Sequence, residues 1–245
     1  GFITLSTEGL GLTFVYIDAT VGWRSVQSNE YSTSGAIPTF ITATGGTETT
    51  SSCGDYKIHT FTGPGTFCVS SIGNACGGPN SVDYVVVAGG GSGGRGGSNG
   101  AGAGAGGYRE SSGAATGGYS ASPLGACVSA LPVSVQGYTI AVGAGAGTNT
   151  CTGVGSDGSN STFSTIISTG GGGGGAYPCA AGRCGGSGGG GGDSQPAGSG
   201  NIPPVSPPQG NTGGTNSPAA QGQAGGGGAT AAGGNGAGPG GVGGA

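Results

Sequence analysis

Methionine is missing from this chain, tryptophan and histidine occur once each, and charged residues make up only 6% of it. The low charge argues against a solvated, self-repelling tail, since the formal net charge is −4. No apolar stretch approaches the ~18 residues of a membrane span. The longest β-branched run is Val85–Val87, so insertion into a membrane is not expected. Five basic residues scattered singly leave no electrostatic footprint for nucleic acid. The N-terminal residues show no charged-then-apolar signal pattern. Beginning at Gly1 with no methionine, the chain reads as a piece or a processed part of a longer one.

The scarcity extends to helix formers, and no stretch shows a 3.6-residue apolar period, so no α-helix is expected. The expected fold is all-β plus non-regular structure. Residues 2–5 and 12–17 read as two strands about a turn, with residues 24–27 extended once more. Trp23 is read as the cap of a small β core, with an exposed sugar-stacking role as its alternative. Residues 28–52 read as a connection carrying one short strand at Ile37–Ile41. Residues 56–61 and 66–70 flank Gly63-Pro64-Gly65 and read as a hairpin. Residues 83–88 read as a strand covered on both faces.

What the chain has in excess is glycine, 68 of 245 residues, with 13 in residues 1–88 and 55 in the remaining 157. The tracts at 89–107, 170–175, 185–192, 225–228 and 233–244 alternate with loops rich in Asn, Ser, Thr and Pro. A compact hairpin over 133–142, turning at Gln136-Gly137, is embedded among them. A glycine run is either a slack linker or an extended left-handed helix of three residues per turn. Such a helix makes no internal hydrogen bonds, so its amides need partners on neighbouring rods. Several rods side by side satisfy one another, and only Gly or Ala lets the backbones approach that closely. The reading adopted is a bundle of packed polyglycine II helices, with loops falling alternately at its two ends. Disorder or silk-like stacking of Gly100–Gly106 is the alternative. The domain boundaries that follow are a β module end at 1–32, a β-hairpin unit at 33–88 and a glycine-rich domain at 89–245.

Seven dispersed cysteines favour an oxidising, extracellular setting. Counting outward from Pro64 places Cys53 opposite Cys76, and counting from Gln136-Gly137 brings Cys127 near Cys151. Cys179 and Cys184 close a short loop. The expected disulfides are therefore 53–76, 127–151 and 179–184, leaving Cys68 unpaired. A zinc site needs two ligands beyond the 179–184 pair, and the one histidine, His59, sits in a strand. No metal or cofactor is expected. Asp157–Asn160 lacks the carboxylates of a calcium loop, and Asn160-Ser161-Thr162 is read as a turn rather than a glycosylation site. Gly89–Gly94 lacks both the helix and the Lys of a phosphate loop. The carboxylates are single and His59 has no Ser or Cys partner at motif spacing, so an enzyme is not expected.

Two clusters of motifs carry a resemblance. Tyr56–Phe67, Val82–Gly91 and Ala105–Arg109, followed by Tyr138–Gly145 and Gly158–Phe163, resemble the glycine-rich domain of bacteriophage tail fibres and adhesins. The match spans about residues 53–245, and residues 1–30 look like the end of a preceding fibre module. The resemblance implies a polyglycine-helix domain at the distal end of a trimeric fibre, on the virion surface and outside the cell. It implies attachment through tip loops to a host glycan or outer-membrane protein. The expected contact loops are 148–168, 177–184 and 193–218, with Tyr177, Arg183, Asp193, Gln195 and Asn201 as contact residues. A purely structural fibre or decoration subunit is the alternative. An ice-binding role is disfavoured because no regular Ala or Thr face occurs.

Overall fold

The computed structural model describes residues 14–17, 19–20, 23–25, 38–51, 56–97, 100–113, 122, 124–125, 128–150, 152–178, 180–216, 223–236 and 241–245. Among them there is no helix, and hence none long and apolar enough to cross a membrane. Thirteen short strands are present. An all-β chain with much non-regular structure is what the composition leads one to expect.

The centre of the β part is a five-stranded antiparallel sheet. It is built from β3 (Thr42–Thr44), β6 (Gly65–Ser71), β11 (Gln136–Ala141), β12 (Ser161–Phe163) and β13 (Ile166–Ser168). Their spatial order is β13-β12-β11-β6-β3. In β6 and β11 the residues alternate between buried and exposed, as a half-buried strand requires. The inward positions Phe67, Val69, Tyr138, Ile140 and Phe163 join Tyr84, Val86 and Val133 in one apolar cluster. Phe67 and Phe163 meet edge to face with ring centroids 5.9 Å apart, the geometry that aromatic quadrupoles favour. Tyr138 reaches the sheet margin, where its phenol accepts the Ser134 amide at 2.8 Å and the Gln136 Nε2 at 2.9 Å. The Ser134 side chain does most to lower the pKa of this phenol, against the opposing effect of burial.

Several local expectations are corrected. β5 (Lys57–Thr60) does not form a hairpin with β6; it pairs with β4 (Thr47–Thr50) as a separate ribbon. Gly63–Gly65 is thus a crossing between sheets, because β6 already has both edges filled by β3 and β11. Residues 28–52 carry two short strands rather than one among the described residues, β3 at 42–44 and β4 at 47–50, both past Ile41. Residues 133–142 are not a hairpin either. Gln136-Gly137 opens β11, whose one edge takes β6 and the other β12. Both register counts behind the cysteine pairing therefore lose their basis.

β8 (Val85–Val87) is covered on one face only, with Val86 buried and Val85 and Val87 each 53% exposed. β7 (Ser81–Val82) pairs with β10 (Leu131–Pro132), and β8 pairs with β9 (Tyr108–Glu110). Near the N-terminus, β1 (Phe14–Tyr16) pairs with β2 (Trp23–Ser25). Trp23 is 67% exposed and tilts against Tyr16, so it caps no core. The strand expected at 2–5 lies outside the described residues. The central sheet takes strands from both sides of residue 88, so the β unit and the glycine-rich part share one core.

Among the described residues the glycine tracts are packed rods. Hydrogen bonds from 88–95 fall on every third residue, as three residues per turn demands. The amides of Ala88, Gly91 and Gly94 go to the carbonyls of Gly107, Gly104 and Ala101. Those of Gly89, Ser92 and Arg95 go to Ser159, Ser156 and Gly153. A β-ladder would instead alternate by two. The rods also continue the strands without a change of register: β8 and β9 pair Val87 with Tyr108, and Ala88 and Gly107 follow directly. β12 and β13 hand over in the same way to 153–160 and 169–176.

The rod at 185–192 lies in the middle of the bundle and is buried throughout. Its hydrogen bonds reach 100–107, 169–176, 180–184, 195–200, 209–216 and 223–228. At Gly189 an added Cβ would come within 2.0 Å of the Gly173 carbonyl oxygen. Glycine is required there by close approach.

Candidate functional site at the free end of the bundle

The direction of each rod follows from its pairing. Residues 88–95, 169–176, 185–192 and 209–216 run one way, while 100–107, 153–160, 195–200 and 223–228 run the other. The bundle therefore has two ends. One end is the β base, where the rods meet β8, β9, β11, β12 and β13, and it is closed also by 200–209 and 228–231. The other is where the described rod ends at 95, 100, 153, 176, 180, 192, 195, 216, 223, 236 and 241 gather. No strand of the described β sheets lies at that second end.

The connections expected as contact loops divide between the two ends. Tyr177 extends from the free end of the 169–176 rod and is 48% exposed. Gly96 lies against it, since a Cβ on Gly96 would come within 2.4 Å of the Tyr177 carbonyl oxygen. Asp193 and Gln195 form the neighbouring turn, closed by the Gln195 amide on the Gly192 carbonyl at 3.0 Å. Ser194 supplies the left-handed residue of that turn, at φ 56°, and its hydroxyl donates to Asp193 Oδ1 at 3.3 Å. This turn stands beside Tyr177's rod, because Gly192 donates to the Ala180 carbonyl at 3.0 Å. The structure thus brings Tyr177, Asp193 and Gln195 to one end.

Arg183 and Asn201 do not join them. Arg183 lies part-way along the bundle, its Nε 2.9 Å from the Asp157 carboxylate. That carboxylate also accepts the Gly173 amide at 2.9 Å, so the pair staples three rods together. Asn201 is at the β base. Its Oδ1 accepts the Val205 amide at 3.0 Å and its Nδ2 donates to the Val205 carbonyl at 3.0 Å, folding the proline-rich loop upon itself. The loop expected as a single surface over 193–218 is in fact a turn at the free end, a rod, a basal cap and a second rod.

That cap holds a residue that sequence reasoning misses. Gln209 is fully buried. Its Oε1 accepts the Thr169 amide at 2.8 Å and its Nε2 donates to the Pro203 carbonyl at 3.2 Å. At the free end Arg95 escapes sequence reasoning as well. It is exposed, and its Nη1 donates to the Thr150 carbonyl at 3.0 Å. A lone arginine amid glycines, where no apolar core can use its stem, is the signal that could have found it. Asn216 Oδ1 and both carboxamide atoms of Gln223, also near this end, are buried with no hydrogen-bond partner.

Cys68, Cys76 and Cys184 are exposed free thiols, and Cys184 Sγ accepts the Ser199 amide at 3.3 Å. Cys53, Cys127, Cys151 and Cys179 lie outside the described residues. Among the described residues no three His, Cys, Asp or Glu side chains gather as a metal site would require. His59 is spent on structure: its Nδ1 is 2.8 Å from the Gly45 carbonyl and its ring stands edge-on to Phe67.

A concavity lies in the β base. It is an apolar cleft of about 700 Å³ between the β4–β5 ribbon, β8 and the central sheet, lined by Ile58, Phe61, Val85, Val87, Ile140 and Val142 among others.

No curated protein and no solved structure matches this chain. A family model described as a glycine-rich domain matches residues 61–245, from the crossing before β6 to the last rod. That match covers more than half of the chain, which therefore belongs to the glycine-rich domain family.

Proposed function

We propose that this chain is the distal domain of a bacteriophage tail fibre, attaching the virion to a host-cell glycan or outer-membrane protein. The observation that carries the reading is the polarity of the bundle. One end is occupied by the β base. The other carries Tyr177, Asp193 and Gln195, with Arg95 exposed at the same end. Rods that fix each other every third residue hold the backbone from which Tyr177, Asp193 and Gln195 project, which lowers the entropic cost of binding. An aromatic ring with carboxylate, carboxamide and guanidinium neighbours suits hydroxyl-rich or polar protein surfaces.

The test uses the purified, fluorescently labelled chain and a panel of intact Gram-negative cells. Binding to at least one strain is expected. It should vanish when 177–180 and 193–195 are replaced by Gly/Ser of equal length, with the melting temperature retained. Absence of binding to every strain, or binding indifferent to the replacement, would overturn the proposal and favour a purely structural fibre subunit.

A further inference from the structure

Four polar residues stand at one level of the free end, on the rod 209–216 and three rods bonded to it. Gly191 donates to Gly214 on the parallel rod, so Asp193 and Asn216 lie level two residues further out. Gly213 donates to Gly198 and Gly214 to Gly225, both on antiparallel rods. Toward the free end the numbers rise on 209–216 and fall on those two rods, which sets Gln195 and Gln223 opposite Asn216. Tyr177 joins them from a further neighbour: Gly175 donates to Gly190, which puts Tyr177 level with Gly192.

Their hydrogen bonding is incomplete. Asn216 is 7% exposed, yet its Oδ1 has no hydrogen-bond partner, and neither carboxamide atom of Gln223 has one. Asp193 takes only the Ser194 hydroxyl, at 3.3 Å, and enters no ion pair among the described residues. Buried polar atoms are nearly always paired in a folded protein, and an unpaired one costs stability. Here that cost falls twice, on side chains that face each other across two bonded rods. No bond through these atoms holds the carboxamides in place, so a change of rotamer, common when an interface forms, turns them outward.

We infer that this cluster is a binding site for a neutral saccharide, which rests on the attachment role proposed above. A carboxamide both donates and accepts, whereas an ionised carboxylate only accepts. The vicinal hydroxyls of a sugar also do both, so they supply what Asn216 and Gln223 lack and donate to Asp193. Tyr177, 48% exposed, offers a ring for the apolar face of the sugar. The Asp193 carboxylate repels an acidic sugar. Arg95 does not offset it, since its rod 88–95 makes no hydrogen bond to that of Asp193 among the described residues. A protein partner is held by clustered apolar anchors, and the four residues beside Tyr177 are all polar.

The probe is a printed array of neutral and acidic bacterial-surface oligosaccharides, read beside the panel of intact cells. Asn216→Leu/Gln223→Met keeps the volume and removes the unpaired atoms. The parent should bind neutral glycans, and this double variant should bind them about tenfold more weakly, at a melting temperature no lower than the parent's. Asp193→Ala should weaken binding as well while leaving the buried carboxamides in place. A lower melting temperature in the double variant would mean that the carboxamides are bonded within the protein, and unchanged glycan binding in either variant would mean that the cluster is idle. Both results overturn the inference. Binding to cells but to no glycan points to a protein receptor, and binding confined to acidic glycans points to another site; each overturns the saccharide site while attachment stands. Binding to neither cells nor glycans overturns the attachment role, and the saccharide site with it.

Discussion

Gly172 faces the carbonyl of Arg183 so closely that a Cβ added to it would stand 1.9 Å from that oxygen and 2.6 Å from its carbon. The obstacle is backbone on a neighbouring rod, held by the Arg183 amide on Gly173 at 2.8 Å, and it cannot swing aside. Gly172→Ala should therefore destabilise by at least the ~1–3 kcal/mol of ordinary overpacking, and Gly172→Val by more. Gly147, where an added Cβ meets nothing within 4 Å, is the control. Gly147→Ala should stay within about 0.5 kcal/mol of the parent. Calorimetric melting of the three variants decides between a packed rod and a slack linker. Equal melting temperatures would mean that the rods are not packed.

Gln209 joins the base of the bundle to the proline-rich cap through one carboxamide. Gln209→Ala strands the Thr169 amide and the Pro203 carbonyl and opens a void beside Gly107. Each buried polar group left unmatched costs ~1–3 kcal/mol. Gln209→Glu keeps the volume but sets a carboxylate oxygen against the Pro203 carbonyl. Both changes should lower the denaturation midpoint, and amide exchange at Thr169 should quicken in the alanine variant. A midpoint unchanged in both would remove Gln209 from its structural role.

The bundle is legible in the sequence because its signal is compositional. A run such as Gly170–Gly175 has no side chain to spend on anything but close approach, whereas the Asn, Ser and Pro stretches conceal the rods at 153–160, 195–200 and 209–216. What escapes the sequence is every pairing decided at a distance. Gly63-Pro64-Gly65 has the residues of a hairpin turn, yet β6 exchanges β5 for β3 and β11, whose apolar faces complete the Phe67–Phe163 core. Nothing local to 56–70 records that choice. Tyr177, Asp193 and Gln195 stand out as polar residues on glycine-bounded turns. Arg183 and Asn201 look the same in sequence, and only the direction of each rod reveals that one is a staple and the other a basal cap. Gln209 is easily overlooked because a polar residue after Pro207-Pro208 reads as loop, whereas burial turns it into a clasp.

The exposed thiols offer a direct measurement. Cys68 lies on β6, and Cys76 and Cys184 lie outside the strands, all three open to solvent. Native alkylation followed by mass mapping should label all three without reductant. Recovery of Cys76 or Cys184 in a disulfide would contradict these free thiols, and recovery of Cys76 with Cys53 or Cys184 with Cys179 would restore the pairing expected from the sequence.

Asp157 and Arg183 should prove unequal partners. Their side chains are 37% and 54% exposed, so the ion pair itself falls among surface bridges coupled by ~0.2–1 kcal/mol. Asp157 does more than pair with Arg183, because its Oδ1 satisfies the amide of Gly173, in a rod that is buried along its length. Removing Arg183 leaves that bond in place, whereas removing Asp157 leaves the Gly173 amide with no acceptor. Asp157→Ala should therefore cost ~1–3 kcal/mol, and Arg183→Ala no more than ~1 kcal/mol. Asp157→Asn, which keeps an acceptor oxygen without the charge, should recover most of the difference. A double-mutant cycle on melting free energies separates the two contributions. If Arg183→Ala costs as much as Asp157→Ala, the ion pair rather than the rod amide is what holds this side of the bundle. Cell binding by Arg183→Ala should match the parent, since its guanidinium lies away from the free end; a loss of binding at unchanged stability would return Arg183 to the contact surface.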